Sequence, residues 1–370
     1  MVTVGELVKV MERLAPRCLA ETWDNPGLHV GSREWPVKLI WVALDPTQGL
    51  IQQAVDNDVN LVITHHPLIF RPLYSVDPDT QPGRIIELAL KNQVAVLCAH
   101  TNLDSARGGV NDMLAEKVGL RSVEVLKVVE NSRYKAVIYI PVGHETQVLD
   151  ALFESGLGEG KKYSCLSFRS GGTGTFLPGD KANPFLGTKG ERTEVQEFRV
   201  EIGVDKRDLV RLQAILARVH PYEEVVYDLY PVHGHSGMEG LGRIGNLPEP
   251  ISFEAFVNRI KREFALSVVK SAGNPVQDVR RVAVCGGSGR SLISDFLRSD
   301  ADVLISGDMG YHDGQQVADV GKGLIDIGHF SSEHVMVEGL ARQLSACLAS
   351  KEHDVAVVPF SGEKDCFRYM

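Results

Sequence analysis

Apolar and polar positions fall into two kinds of block along this chain. Thr3 and Glu6 form a capping-box pair ahead of Leu7, Val10, Met11 and Leu14, whose spacing predicts an opening helix that ends before Pro16. Residues 37–44, 59–64 and 94–99 are short, largely β-branched runs that predict buried strands, with helices expected at 49–57 and 83–92 between them. Strands alternating with helices imply a mostly parallel sheet built from right-handed crossovers. The texture changes near residue 134. A strand at 136–140, a helix at 145–155, a strand at 164–168, a strand at 197–204, a helix at 207–219 and a strand at 225–230 give the order β-α-β-β-α-β, which is ferredoxin-like. Within it, Gly171-Gly172-Thr173-Gly174 reads as a flexible loop. Past Gly240 the first texture resumes, with Ser252 capping a helix to 264 and strands at 282–285, 303–305 and 324–327.

An internal repeat joins the outer thirds. Adding 242 to the residue number carries Val42 onto Val284, Asp58 onto Asp300 and Ile63 onto Ile305 without a gap. With 13 residues of the long loop after Pro67 taken out, His100 and Asp104 fall on His329 and Glu333. The expected fold is α/β: two duplicated α/β lobes with mostly parallel sheets facing a cleft, at 1–130 and 239–370, with an inserted ferredoxin-like α+β domain at 131–238.

Composition narrows the function classes. The 370 residues are 44% hydrophobic and 24% charged, enough for two or three cores. A formal charge of -9 argues against a protein held to nucleic acid by a basic face. No apolar stretch approaches membrane-spanning length and Met1 to Glu6 lack a signal-peptide pattern, so the expected location is cytoplasmic, with no membrane partner. Six cysteines, none in C-x-x-C spacing, suggest neither disulfides nor a zinc ribbon.

The candidate chemistry lies where strands end. The run to Thr64 stops at His65-His66-Pro67, and in open α/β sheets the C-terminal strand ends are where ligands bind. Alone, the histidine pair is equally compatible with a loop holding one packed and one solvated ring. The repeat adds His100-x-x-x-Asp104 and His329-x-x-x-Glu333, and positions four apart share a helix face. Imidazoles and carboxylates in this number exceed the needs of one tetrahedral ion and suit a pair of divalent metals, zinc foremost, with manganese or iron(II) as alternatives. Such a pair implies hydrolysis. Gly286-Gly287-Ser288-Gly289 fits a phosphate cradle or a tight turn. His220-Pro221-Tyr222-Glu223-Glu224 reads more readily as turn and strand-edge residues serving packing or subunit contacts than as a further metal site.

Thr64-His65-His66-Pro67, Ala99-His100-Thr101-Asn102-Leu103-Asp104 and Asp326-Ile327-Gly328-His329-Phe330-Ser331-Ser332-Glu333 resemble the signatures of the dinuclear-metal-centre family of YbgI and YqfO, the GTP cyclohydrolase 1 type 2 homologues. The resemblance implies that His65, His66, Asp104, His329 and Glu333 bind two metals, with Glu333 bridging. It places His100 beside the site, in contact with ligands or substrate. Ser306 to Asp313 resembles another cleft segment, which makes Asp308 and His312 candidate proton carriers, and the turn Trp23 to Gly27 resembles one that shapes the entrance. The inserted portion resembles the PII-like and CutA-like module of longer members, and the family implies a homohexamer. The implied activity is that of a metal-dependent hydrolase, with metal-bound hydroxide attacking the purine ring of a small-molecule substrate, GTP. The alternatives are a metal-handling or regulatory protein without turnover, and a scaffold with structural metals.

Overall fold

The computed structural model describes residues 1–128, 133–159, 163–232, 239–350 and 354–368. The chain divides into two compact units, one of Met1–Val129 with Gly237–Met370 and one of Glu130–Ser236. Both domain boundaries expected from the sequence, at 130/131 and 238/239, involve residues outside those described.

Fifteen strands are described: β1 Gly27–Val30, β2 Leu39–Ala43, β3 Leu61–Thr64, β4 Ala95–Cys98, β5 Arg121–Val128, β6 Arg133–Pro141, β7 Ser167–Phe176, β8 Thr193–Asp205, β9 Tyr227–Pro231, β10 Gly240–Ser252, β11 Lys270–Ala272, β12 Asp278–Ser288, β13 Val303–Gly307, β14 Gly323–Asp326 and β15 Ala356–Pro359. The larger unit holds two mixed sheets in an α/β arrangement, ordered β1-β4-β3-β2-β15 and β11-β14-β13-β12-β10-β5. Four adjacent strands are parallel in the first, β15-β2-β3-β4, and three in the second, β12-β13-β14, and an antiparallel strand, β1 or β11, flanks each run. β3 and β4 are buried along their whole length, as a parallel strand covered on both faces must be.

Two helices bind the sheets to each other. Helix Val335–Ala349 follows the second sheet's last parallel strand, yet Met336, Leu340 and Leu344 pack with Ile40, Val42 and Leu61 of the first sheet. Helix Val110–Val118 follows the first sheet's β4, and its Leu114, Ala115 and Val118 pack with Val282, Val284 and Val303 of the second. A buried cation locks the same junction. Arg243 on β10, 2% exposed, donates to both oxygens of Asp112 at 2.8 Å and to the carbonyls of Ala106, Gly240 and Gly242.

The smaller unit runs β6, helix Glu145–Glu154, β7, β8, helix Leu209–Val219, β9, and its four strands form one sheet ordered β7-β8-β6-β9. One expectation is corrected here. Gly171 to Gly174, read as a flexible loop, lies inside β7 and pairs with β8 from Gly171↔Phe198 to Gly174↔Val195. Backbone pairing holds the run extended, and Gly174 meets a space requirement: a Cβ there would stand 2.2 Å from Oε2 of Glu197.

Asp112→Ala would leave the Arg243 guanidinium buried without its counter-charge. We expect a loss of about 3 kcal/mol or more, read as a fall in the urea midpoint of the larger unit. A loss under about 1 kcal/mol would show that this pair does not hold the junction.

Candidate metal centre

Short helical turns after strand ends assemble the site. The β3 ladder continues past Thr64, His65 N–H donating to Ala43 O and His66 N–H to Leu44 O, so both rings are placed by sheet geometry. Asp104 lies on the turn Thr101–Ser105 after β4, and His329 and Glu333 open and close the turn His329–Glu333 after β14. Asn111, fully buried, fastens the halves: its Nδ2 donates to Asp104 O and its Oδ1 accepts from Gly286 N.

Glu333, 3% exposed, is the centre of the arrangement. Its Oε2 lies 2.9 Å from His66 Nε2 and 3.0 Å from His329 Nε2, and its Oε1 lies 3.5 Å from His65 Nε2. His65 Nε2 is in turn 3.6 Å from Asp104 Oδ1. Three groups of side chains hold atoms close enough to share an ion: His65, Asp104 and Glu333; His66, His329 and Glu333; and His65, His66 and His100. The first two share Glu333 through different oxygens. Gly287 makes room for it, since a Cβ at that residue would meet Oε1 at 2.2 Å. Gly286 to Gly289 thus ends β12 in a left-handed residue, φ +61° at Gly287, beneath the carboxylate.

Each histidine is oriented through its other nitrogen. His65 Nδ1 is 2.9 Å from Ala99 O, and because a carbonyl only accepts, Nδ1 carries a proton, so that in the neutral ring Nε2 presents a lone pair. His66 Nδ1 faces Asp45 at 2.7 Å, His329 Nδ1 faces Asp308 at 2.7 Å and His100 Nδ1 faces Asp24 at 2.9 Å. His65 Nε2 and Asp104 Oδ1 are both buried without a hydrogen-bond donor. A lone pair and a carboxylate oxygen converge beside Glu333 Oε1 with nothing between them that can donate, which is the chemistry a divalent cation satisfies. The residues present therefore fit the implied metal.

Without a cation, protons gather here. Burial would depress the His66 imidazolium, but hydrogen bonds to Asp45 and Glu333 raise its pKa to about 10. The bond to Glu333 raises His329 to about 9 against its burial. Burial and the nearby Glu333 lift the Asp104 carboxyl to about 6, with His65 opposing. Burial would lift Glu333 too, but the neighbouring His65 ring and the hydrogen bonds from His329 and His66 hold it well below the usual carboxylate range.

The structure brings His65, His66, His100, Asp104, His329 and Glu333 together and sets Asp308 against His329. His312 stands apart from these groups, exposed on helix Tyr311–Asp319 with its ring against Tyr311. Sequence reasoning missed Asp45 and the part played by Asp24. Asp45 follows the strand beside β3, and that position was the available signal; Asp24 lay inside a turn read only as an entrance. Trp23 does border the site, its ring 6.0 Å from that of His100.

The raised pKa values fix a pH dependence. A group whose pKa rises on folding stabilises fully below its unfolded value, near 6.5 for histidine, and loses that contribution as pH climbs through the folded value. Chelator-stripped protein should lose stability to urea between pH 7 and pH 10 as His66 and His329 deprotonate beside Glu333. Metal-loaded protein, whose imidazoles carry no ring proton at Nε2, should lose less over the same range. Parallel pH profiles for the two forms would contradict this.

The Duf34/NIF3 (NGG1p interacting factor 3) family model matches residues 2–365. The chain is 38% identical over 365 residues to the "GTP cyclohydrolase 1 type 2 homolog" of Halalkalibacterium halodurans, covering 98% of each, and 36% identical over 366 residues to the protein of the same name from Bacillus subtilis, covering 99% of this chain and 98% of that one. The crystal structure of a Bacillus cereus protein related to NIF3 matches at TM-score 0.76 and 35% identity, over 100% of this chain and 99% of that one. The protein ybgI matches at TM-score 0.58 and 15% identity over 96% of each, a likeness of fold alone. The chain belongs to the Duf34/NIF3 family.

Proposed function

We propose that this protein is a dinuclear metal-dependent hydrolase. The observation that carries the reading is the convergence of His65 Nε2, Asp104 Oδ1 and Glu333 Oε1, the first two buried without donors, beside a second group that uses the other oxygen of the same glutamate. His65, Asp104 and Glu333 would hold one ion; His66, His329 and Glu333 would hold the other. Two divalent ions, zinc foremost, would lower the pKa of a bound water and stabilise negative charge developing on a substrate. The protein's own part is orientation. Ala99, Asp45 and Asp308 keep the three Nε2 lone pairs aimed inward, and Glu333 stays ionised between the half-sites. His100, with Nδ1 fixed by Asp24, would stand beside His65 and His66 and contact a ligand or the substrate. His312, exposed on its helix, would act only on the outer part of a bound substrate.

The name shared by the relatives points to a purine nucleotide as substrate and to ring opening with release of formate. We further infer a duplicated core, supported by shared register: Ile40↔Leu61 and Val42↔Ile63 in the first sheet become Val282↔Val303 and Val284↔Ile305 in the second when 242 is added. The smaller unit, with its β-α-β-β-α-β order, is read as a PII-like insertion, and the whole as a cytoplasmic homohexamer. Among the described residues no helix is long and apolar enough to cross a membrane. A metal-handling reading uses the same ligands and draws on the partial exposure of His329, which leaves an ion a route in and out.

Formate release from GTP separates the two. Metal-loaded protein should release formate, and Glu333→Gln should lower the rate by about 100-fold or more, as loss of one transition-state interaction of this kind does. A protein that holds its metals and leaves GTP and other heterocyclic nucleotides intact would favour metal handling.

A further inference from the structure

The smaller unit contains a cavity of about 720 Å³, within the size range of small-molecule sites, and nothing in the metal chemistry accounts for it. Its floor draws on all four strands of the sheet, with Phe176 of β7, Glu197 of β8, Tyr139 of β6 and Asp228 of β9. Its outer wall is the segment 177–186, which folds back so that Asn183 N–H donates to Glu223 Oε2 at 2.7 Å and the Phe185 ring approaches those of Tyr222 and His144. Phe176 closes a further side, edge-on to Tyr222. Four aromatic residues, Tyr139, Phe176, Phe185 and Tyr222, therefore line the space.

The charges around it are one-sided. Glu197, Glu223, Glu224 and Asp228 line the cavity against the single cation Lys181. Glu197 is the informative one. It is 9% exposed; Oε1 accepts from the Tyr222 hydroxyl at 2.7 Å, while Oε2 lies over Gly174 with no hydrogen-bond donor among the described residues. With Oε1 taken by Tyr222 and Oε2 left to the cavity it lines, this carboxylate offers a negative contact to whatever enters. Among the described residues these acids form no group with the spacing of metal ligands. His220, the nearby imidazole, is occupied on both sides, Nε2 donating to Tyr139 O and Nδ1 accepting from Tyr222 N–H.

We propose that this cavity is a binding site for a small organic ammonium cation, its charged head against Glu197 and the rings of Tyr222, Phe176 and Phe185, its apolar body along the segment 177–186. Aromatic walls attract cations through their ring quadrupoles, and a partly desolvated carboxylate adds charge pairing. The site lies wholly within the smaller unit and stands whether or not the larger unit turns over a substrate.

Choline and its neutral carbon isostere 3,3-dimethyl-1-butanol test the charge requirement, and benzyltrimethylammonium tests the apolar walls. Saturation-transfer NMR on the full-length, metal-loaded protein should show both cations binding about tenfold more tightly than the alcohol. Glu197→Gln, which keeps an acceptor for Tyr222, and Phe185→Ala, on the exposed outer wall, should each weaken benzyltrimethylammonium by about tenfold without changing metal content. Equal binding of cation and isostere overturns the proposal, as do absence of binding by either cation at millimolar concentration and unchanged affinity in both variants. Preference for benzoate over the cations would also overturn it.

Discussion

Burying a carboxylate among three imidazoles is tolerable only if each oxygen is answered by positive charge, and Glu333 imposes that condition on everything around it. His65, His66 and His329 come from two sheets and meet at its two oxygens. Their outward nitrogens are each held by an oxygen acceptor, that of His65 in the core and that of His329 at the surface. Protons satisfy the cluster only in part, leaving Asp104 Oδ1 and His65 Nε2 unanswered. Divalent cations satisfy all of it.

Such a cluster needs a junction that does not slide. The exchanged helices Val110–Val118 and Val335–Ala349 provide it by burying each turn's continuation in the core of the opposite sheet. Between them, Asn111 spans from Asp104 to Gly286, and Arg243 ties β10 to Ala106 and Asp112. Gly287 lets the end of β12 pass beneath Glu333 where any side chain would collide. The site's precision therefore resides in backbone contacts between the sheets as much as in its ligands.

Much of this was legible in the chain. Buried parallel strands advertise themselves as β-branched runs, and β3 ended where its apolar run met His65-His66. The repeat matched His100-x-x-x-Asp104 to His329-x-x-x-Glu333, and both acids lie in one group with His65. What stayed hidden depended on pairing at a distance. β5 alternates too weakly for a signal, with six of its eight residues exposed, and takes its place from β10. The glycine run in β7 looked like a loop because strand propensity ignores a neighbour that supplies the hydrogen bonds. Asp45 and Asp24 matter only through the rings they orient, and Glu197 only through the cavity above it; no local pattern reports such relations.

The central claim is that one buried carboxylate serves two ions. Elemental analysis of purified, metal-saturated protein tests it directly. Two divalent ions per chain are expected, falling to one or none in Glu333→Ala, while Asp104→Ala retains the ion held by His66, His329 and Glu333. A wild-type protein that saturates at a single ion, or a Glu333→Ala variant that still binds two, would contradict it.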